Sequence, residues 1–477
     1  MNLTLVDLQP VLPAILVALT AFVVLLAGAF AGSGLAVCRN IATAGLGATL
    51  SLILVAPATG SLGGTIAGGA YSAFVQASIL VVAILAVWLS AARLDDDRVY
   101  PHEFFTLMLF CVVGMMGLAT AEEAISLFVA LEIMSVALYG LCAMPRTDPR
   151  RQEAAIKYFI TGAFSSAFLL FGIALLYGAS GSTTLVLMAK GVADGGLLAL
   201  MGAAFFFVGF LFKVGAAPFH MWSPDVYQGA TTSVTAFMAA GVKIAAFGAL
   251  GRVVAITLGG LSDSWAPGVA LVAGFTMVVG NLGALAQTDL KRLLAFSSVA
   301  HAGYMLAGIV GMSDRRGGLE ALLFYVSTYA ITNLGAFGLL IAIRRNGREP
   351  ALTTDLTGLS RRRPALAAML TVLLISLTGV PVSAGFVGKF HLFKAAVASG
   401  YSGLAAVGVL MSVVSAFYYL RLVVLMYMEE PQDDVEFATE SGVVPSLVAF
   451  AAALTFGLGL FPGILMAVAR AAANSLF

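Results

Sequence analysis

LFKVGAAPFHMW, residues 211–222, sets a lysine, three small residues and a proline inside an apolar run that begins near residue 197. Proline has no backbone N–H and frees the carbonyl four residues earlier, so Pro218 is predicted to break this run into two half-helices. The pattern returns in SLTGVPVSAGFVGKF, residues 376–390, where Pro381 is flanked by Gly379, Gly385 and Gly388 and followed by Lys389. Two interrupted apolar helices at matching positions of a chain are the sequence mark of a transport site between inverted repeats.

Composition agrees with a membrane setting. The chain has 477 residues, of which 60% are hydrophobic and 10% charged, and a soluble protein of this size could not solvate such a surface. The predicted fold class is an all-α polytopic membrane protein. Long apolar stretches give about fourteen transmembrane helices. The interrupted ones are the seventh and twelfth, an odd number apart, so the units they belong to are predicted to be two inverted five-helix repeats. The expected organisation is residues 1–102 with helices 1–3, residues 103–258 as the first repeat with helices 4–8, residues 265–428 as the second with helices 9–13, and residues 443–477 with helix 14. The first apolar run follows Asp7 with no basic segment before it and reads as a retained span.

Charge in the connections sets an orientation. With the N-terminus outside, fourteen Lys and Arg fall on inside connections, among them Arg39, Arg98, Arg151 and Arg292, against Lys190, Arg315, Arg316 and Arg470 outside. The positive-inside rule then places both termini on the periplasmic side of a bacterial inner membrane. The acidic run Glu429, Glu430, Asp433, Asp434 and Glu436 reads as a solvated cytoplasmic loop. Cys38, Cys111 and Cys142 are far apart, and histidines show no ligand spacing, so neither a metal site nor an iron–sulfur cluster is expected. There is no Walker motif and no G-x-G-x-x-G in a βαβ context, and nothing suggests nucleic-acid binding.

The lysines are sorted differently from the arginines. Lys157, Lys213, Lys243, Lys389 and Lys394 lie inside apolar stretches, whereas only Arg252 and Arg421 of the eighteen arginines lie near one. Both residues carry charge, but a buried lysine can lose its proton and arginine in practice cannot. Ionisable groups within a membrane are costly and mark ion or proton pathways by default. Glu132 is the one acid in mid-span, and its expected partner is Lys213 or Lys157; a pair that merely fixes helix packing is the plainer alternative. Lys243 has no acid within two turns and is the best candidate for a central proton carrier. Lys389 is a candidate terminal carrier. Lys157 is spaced four from Glu153, which equally suits an ordinary helix-face salt bridge. Lys394 reads better as an interface anchor. His301 is a relay candidate and His220 a further one, while His391 reads as a packed side chain.

Together, Glu132, Lys213 with AAPFHMWSPDVYQGA, Lys243, ALAQTDLKRLLAFSSVAHAGYML at 284–306 and GVPVSAGFVGKF at 379–390 resemble the antiporter-like subunits of respiratory complex I, and within them the subunit N group. The resemblance runs from about the third span to the thirteenth. It implies that Glu132 and Lys213 couple the first half-channel, Lys243 is central, His301 lines a hydrated axis, Lys389 stands on the exit side, and Lys157 matches a lysine of the family's sixth span. It also implies that FMN, iron–sulfur clusters and quinone belong to partner subunits and that this chain carries no cofactor. A subunit of a multisubunit sodium/proton antiporter is the alternative, and a membrane scaffold with vestigial charges is a third.

Overall fold

The computed structural model describes residues 8–32, 34–94, 99–314, 317–345, 347–430, 437–439 and 442–477. Its described structure is a bundle of apolar helices with two short two-stranded sheets at the ends. Arg98, Arg315 and Arg316, used above for orientation, and Asp433, Asp434 and Glu436 of the acidic run lie outside the described residues.

Eleven described helices are long and apolar enough to cross a membrane, or twelve if the bent pair Val444–Leu460 and Gly463–Asn474 is one span. The count expected from sequence was fourteen, and the difference has two sources. Residues Thr232–Leu285 follow one another closely enough to be counted once, at 54 residues, although a 3₁₀ turn at Gly259–Leu261 divides the part that ends at Leu258 from Ser262–Leu285. The predicted twelfth span is cut into Pro364–Thr378 and Ala384–Ala398, each too short to be counted.

Inside the long stretch the winding changes repeatedly. A π-helical turn, Met238–Val242, stands immediately before Lys243, and a second, Val254–Leu258, leads through a 3₁₀ turn to Ser262. π turns accommodate an extra residue and re-aim the side chains after them, often at functional sites. Here the side chain so placed is Lys243.

Both predicted breaks are present, and both have the same local chemistry. Leu197–Val214 ends at Gly215, with φ of 71°, and the N–H of Ala216 reaches back to the Leu211 carbonyl at 2.8 Å. Pro364–Thr378 ends at Gly379, with φ of 87°, and the N–H of Val380 reaches the Ile375 carbonyl at 3.2 Å. Each is a Schellman-type stop, which needs the left-handed conformation that glycine adopts freely. Beyond the first break, Ala217 N–H is held by Thr276 Oγ1 at 3.0 Å, tying the break to Ser262–Leu285. Beyond the second, Gly385 N–H is held by Ser376 Oγ at 3.1 Å, and a Cβ on Gly385 would lie 1.8 Å from the Ser376 carbonyl oxygen. Gly385→Ala is therefore expected to force the half-helices apart and cost about 1–3 kcal/mol. A thermal melt of the purified assembly, compared with wild type, checks this.

Leu290–Ser313 and Gly317–Ala342 are almost wholly buried, and residues 232–254, which carry Lys243, are buried throughout, whereas Leu12–Ala31 lies at the rim. The hairpin Ser61–Leu62/Ile66–Ala67 marks one end of the bundle, the hairpin face. Strand Ile343–Arg345, paired antiparallel with Phe437–Thr439, marks the other, which is rich in arginine.

Candidate functional site

The helices that meet at the two breaks carry the mid-span ionisable residues into one interior row. Lys213, Lys243 and Lys389 are all buried, at 2%, 3% and 4% exposure. None of the three makes an ion pair within 4 Å among the described residues. Each is instead held by uncharged oxygen.

At the first break, Lys213 is the penultimate residue of Leu197–Val214, and its Nζ donates to Ser135 Oγ at 2.6 Å. Ser135 in turn donates to the Leu131 carbonyl at 2.5 Å. Glu132, three residues before Ser135 and so on the same helix face, accepts a hydrogen bond from Ser166 Oγ. The direct Glu132–Lys213 ion pair expected from sequence is thus absent. The two charges are close in the fold, but a serine holds each of them. The rings of Tyr139 and Tyr158 flank the ammonium at 5.6 and 5.7 Å, and their hydroxyls are buried without a protein partner.

At the centre, Lys243 Nζ donates to the Ser298 carbonyl and lies 5.5 Å from the Tyr329 ring. Ser298 Oγ lies 3.5 Å from the Tyr227 hydroxyl, which belongs to the short helix Trp222–Gly229 after the first break. One turn along from Ser297, His301 stands between two tyrosines: Nδ1 is 2.6 Å from Tyr325 Oη and Nε2 is 3.4 Å from Tyr419 Oη. Tyr419 also bonds Ser297 Oγ.

At the second break, Lys389 Nζ donates to the carbonyls of Leu377 and Thr378 at 3.1 and 2.9 Å and sits 4.5 Å over the Tyr304 ring. Leu377 is the residue four before Pro381, so the lysine has taken the carbonyl that the proline frees. Tyr304 Oη meets Asn281 Nδ2 at 3.2 Å, and Asn281 Oδ1 accepts from Tyr418 at 3.1 Å.

Three of the sequence-predicted residues lie elsewhere. Lys157 is half-exposed and belongs to the arginine-rich face, paired with Glu153 at 2.8 Å and Asp225 at 2.9 Å. It is therefore not a partner of Glu132; the helix-face alternative describes it, because the i, i+4 spacing on an open surface outcompetes a reach into the bundle. His220 lies at the first break, half-buried, with Nδ1 unpartnered and no hydrogen bond to any lysine of the row. Lys394 is exposed, as an interface anchor would be.

Asp225 was not foreseen. It bridges Lys157 and, at 2.7 Å, Arg292, clamping the helix after the first break to its neighbours. Burial alone would push its carboxyl up, but hydrogen bonds from Lys157 and Arg292 hold it below the usual carboxylate range. A depressed folded value contributes stability above the unfolded value of about 3.9 and loses it as pH falls through the lower folded value. Asp225 is 38% exposed, so the clamp is worth no more than about 1 kcal/mol. Asp225→Asn should melt slightly below wild type from neutral pH down to about 4 and converge with it only in stronger acid. Melts across that range check the sign.

Residues 121–415 match the family described as NADH:quinone oxidoreductase/Mrp antiporter, transmembrane. The chain belongs to that family. A subunit N 3 of NADH-quinone oxidoreductase from Streptomyces griseus is 46% identical over 377 residues, covering 76% of this chain and 68% of that one. Subunit N from Rhodospirillum rubrum is 38% identical over 484 residues, covering 98% and 97%. Among solved structures of this NADH:quinone oxidoreductase/Mrp antiporter fold, a chain of respiratory complex I from Thermus thermophilus superposes with a TM-score of 0.82 at 33% identity, covering 96% of this chain and 99% of that one. A chain of the Mrp complex from Dietzia also reaches 0.82, at 22% identity over 99% of this chain and 97% of that one, which is likeness of fold.

The tyrosines were the part of the row that sequence reasoning missed. Tyr139, Tyr158, Tyr304, Tyr325, Tyr329 and Tyr419 all lie within helices, with hydroxyls that need partners once buried. Membrane tyrosine ordinarily gathers at the two interfaces. Tyrosine in mid-span was therefore an available signal.

Proposed function

We propose that the chain is the subunit N-type member of an NADH–quinone oxidoreductase and that it moves protons along the row Lys213, Lys243, His301 and Lys389, coupled to electron transfer in partner subunits. The observation that carries this reading is the set of three buried lysines that make no ion pair within 4 Å among the described residues and are each held by uncharged oxygen, with serine, tyrosine and histidine between them. A buried lysine with a purely structural role is ordinarily offset by an acid; a proton carrier needs a site where both its charged and neutral forms can be held.

The partners differ in a way that suits different tasks. Ser135 can donate or accept, so it serves Lys213 in either protonation state. The carbonyls at Lys243 and Lys389 only accept, and they hold the ammonium form until a neighbour takes the proton. His301 has a hydroxyl at each ring nitrogen, so a proton taken at one nitrogen can be matched by release from the other. The orphan hydroxyls of Tyr139, Tyr158 and Tyr329 have donor and acceptor capacity to join these stations through water. Glu132 supplies the negative charge that can draw Lys213 away from Ser135.

The finer architecture belongs to the same proposal. At about 1.5 Å per residue the 54-residue stretch is more than twice as long as the ~30 Å of hydrocarbon, and with a reversal at the 3₁₀ turn Gly259–Leu261 it crosses twice. With the second broken helix and the bent pair each counted as a crossing, the total is fourteen. The matched glycine stops after Val214 and Thr378 support inverted repeats over 103–258 and 265–428. The arginine-rich face is then cytoplasmic and both termini periplasmic. The FMN, iron–sulfur clusters and quinone would lie in partner subunits.

Affinity purification of the tagged chain from its native membrane tests the assignment. Co-purifying flavin, acid-labile sulfide and NADH oxidation are expected. Sodium-dependent proton exchange with none of these would favour the antiporter reading. The identity to subunits named N, at 38–46% against 22% for the Mrp chain, favours the first.

A further inference from the structure

Arg252 is buried to 2% exposure, nine residues beyond Lys243 on the same helix and on its hairpin-face side. Nine residues of helix are about 13.5 Å. The residues between, Ile244 to Gly251, are all apolar or glycine and all buried, so no side chain of that helix segment can pass a proton. The guanidinium then fills the gap behind the hairpin. Nη2 donates to Ser72 Oγ at 2.6 Å and to the Ala119 carbonyl at 3.0 Å, and the group lies 5.1 Å from the Tyr71 ring. Tyr71 Oη donates to the Gly248 carbonyl at 2.6 Å, fastening that wall to the Lys243 helix. Arg252 makes no ion pair among the described residues, and its Nε has no hydrogen-bond partner. Just outside it, Glu122 and Glu123 form a polar rim with Ser61 and Thr183 on the hairpin face.

We propose that Arg252 is an electrostatic seal: a fixed cation that closes the direct route between Lys243 and the hairpin face, so that a proton on Lys243 leaves only sideways toward His301 and Lys389. The proposal rests on the reading of Lys243 as a proton carrier. A positive charge that cannot be discharged repels a second one in a low-dielectric passage, as arginine does in pores that exclude protons and cations. Lysine would serve poorly here, because it can itself take up and release a proton. The acidic rim outside would concentrate protons at the mouth of such a route, which makes a barrier behind it necessary. The simpler alternative is that Arg252 only ties the end of Pro101–Thr120 through Ala119, a favourable place for a cation at a helix C-terminus.

The test is passive proton leak in liposomes holding the complete oxidoreductase, measured with an entrapped pH dye under an imposed gradient and without NADH. Arg252→Gln keeps hydrogen-bond donors for Ser72 and Ala119 and removes the charge. Its leak should rise at least about tenfold, with NADH:ferricyanide activity unchanged. In the double variant R252Q/K243A the leak should return toward wild type. A tight R252Q overturns the seal and leaves the role of Lys243 standing. A leak that persists in the double variant overturns the claim that Arg252 guards Lys243. Should R252Q fail to assemble, R252K is the second measurement: a leak above wild type supports a need for a cation that cannot titrate, and wild-type tightness refutes it.

Discussion

Replacing Lys243 with alanine is expected to lower the number of protons moved per NADH oxidised while leaving the complex assembled. Among the described residues Lys243 is the lysine at the centre of the row, between Ser298 and the ring of Tyr329. Without it, a proton crossing from one repeat to the other would have no titratable group to hold it at the centre of a low-dielectric interior. The effective penalty for that is several kcal/mol, which slows transfer through this subunit by about a thousandfold. The ratio of proton uptake to NADH oxidation in inverted vesicles reads the effect, with NADH:ferricyanide activity as the control for assembly. Lys243→Arg is the sharper variant. It preserves the cation and a donor for Ser298, yet arginine does not release its proton, so it should be as defective as alanine. An R variant that pumps normally would show that the charge matters and the titration does not.

Glu132→Gln should act differently. Glu132 and Lys213 are each held by a serine, Ser166 and Ser135, rather than by one another. Such an arrangement has two available states: the pair apart, as observed, and the pair closed after Lys213 leaves Ser135. Neutralising Glu132 removes the attraction that favours closure. A charge pair at contact is worth about 4 kcal/mol at an effective dielectric of about 20, and a separated pair a fraction of that. A loss of about 1.4 kcal/mol at the step that starts transfer slows it about tenfold. NADH–quinone turnover in coupled vesicles should fall by that factor with protons per NADH unchanged. A fall in the ratio instead would place Glu132 among the carriers rather than at the switch.

Much of the site was legible because the membrane makes ionisable residues conspicuous. In an apolar run, Glu132, Lys213, Lys243 and Lys389 stand out by type alone, and Pro218 and Pro381 announce the breaks through a missing N–H. The partners were not legible. Ser135, Ser166, Ser297 and Ser298 are ordinary in a helix, where a hydroxyl can bond its own preceding turn, as Ser135 does with Leu131. Their second role exists only because another helix delivers a lysine or a tyrosine. The π turn before Lys243 was hidden for a related reason: MAAGV has no proline, and a lone glycine, Gly241, in an apolar helix does not specify a π turn, so the winding answers to packing rather than to local propensity.

Lys157 and Asp225 show the limit from the other side. Lys157 has the same sequence setting as the interior lysines, an apolar helix, but it lies two turns from the end and reaches Glu153 and Asp225 at the surface. Depth in a helix can be counted from the chain; which way the side chain faces cannot.

The sequence by itself determined that this chain lives in a membrane, where its helices break, and that most of its lysines lie in apolar runs while most of its arginines lie in the connections, since each follows from the solvation cost of a residue type in hydrocarbon. Only the tertiary structure decided which cations form a row, that serines separate Glu132 from Lys213, and that Arg252 stands behind Lys243, because contacts between distant helices are set by packing and not by spacing along the chain.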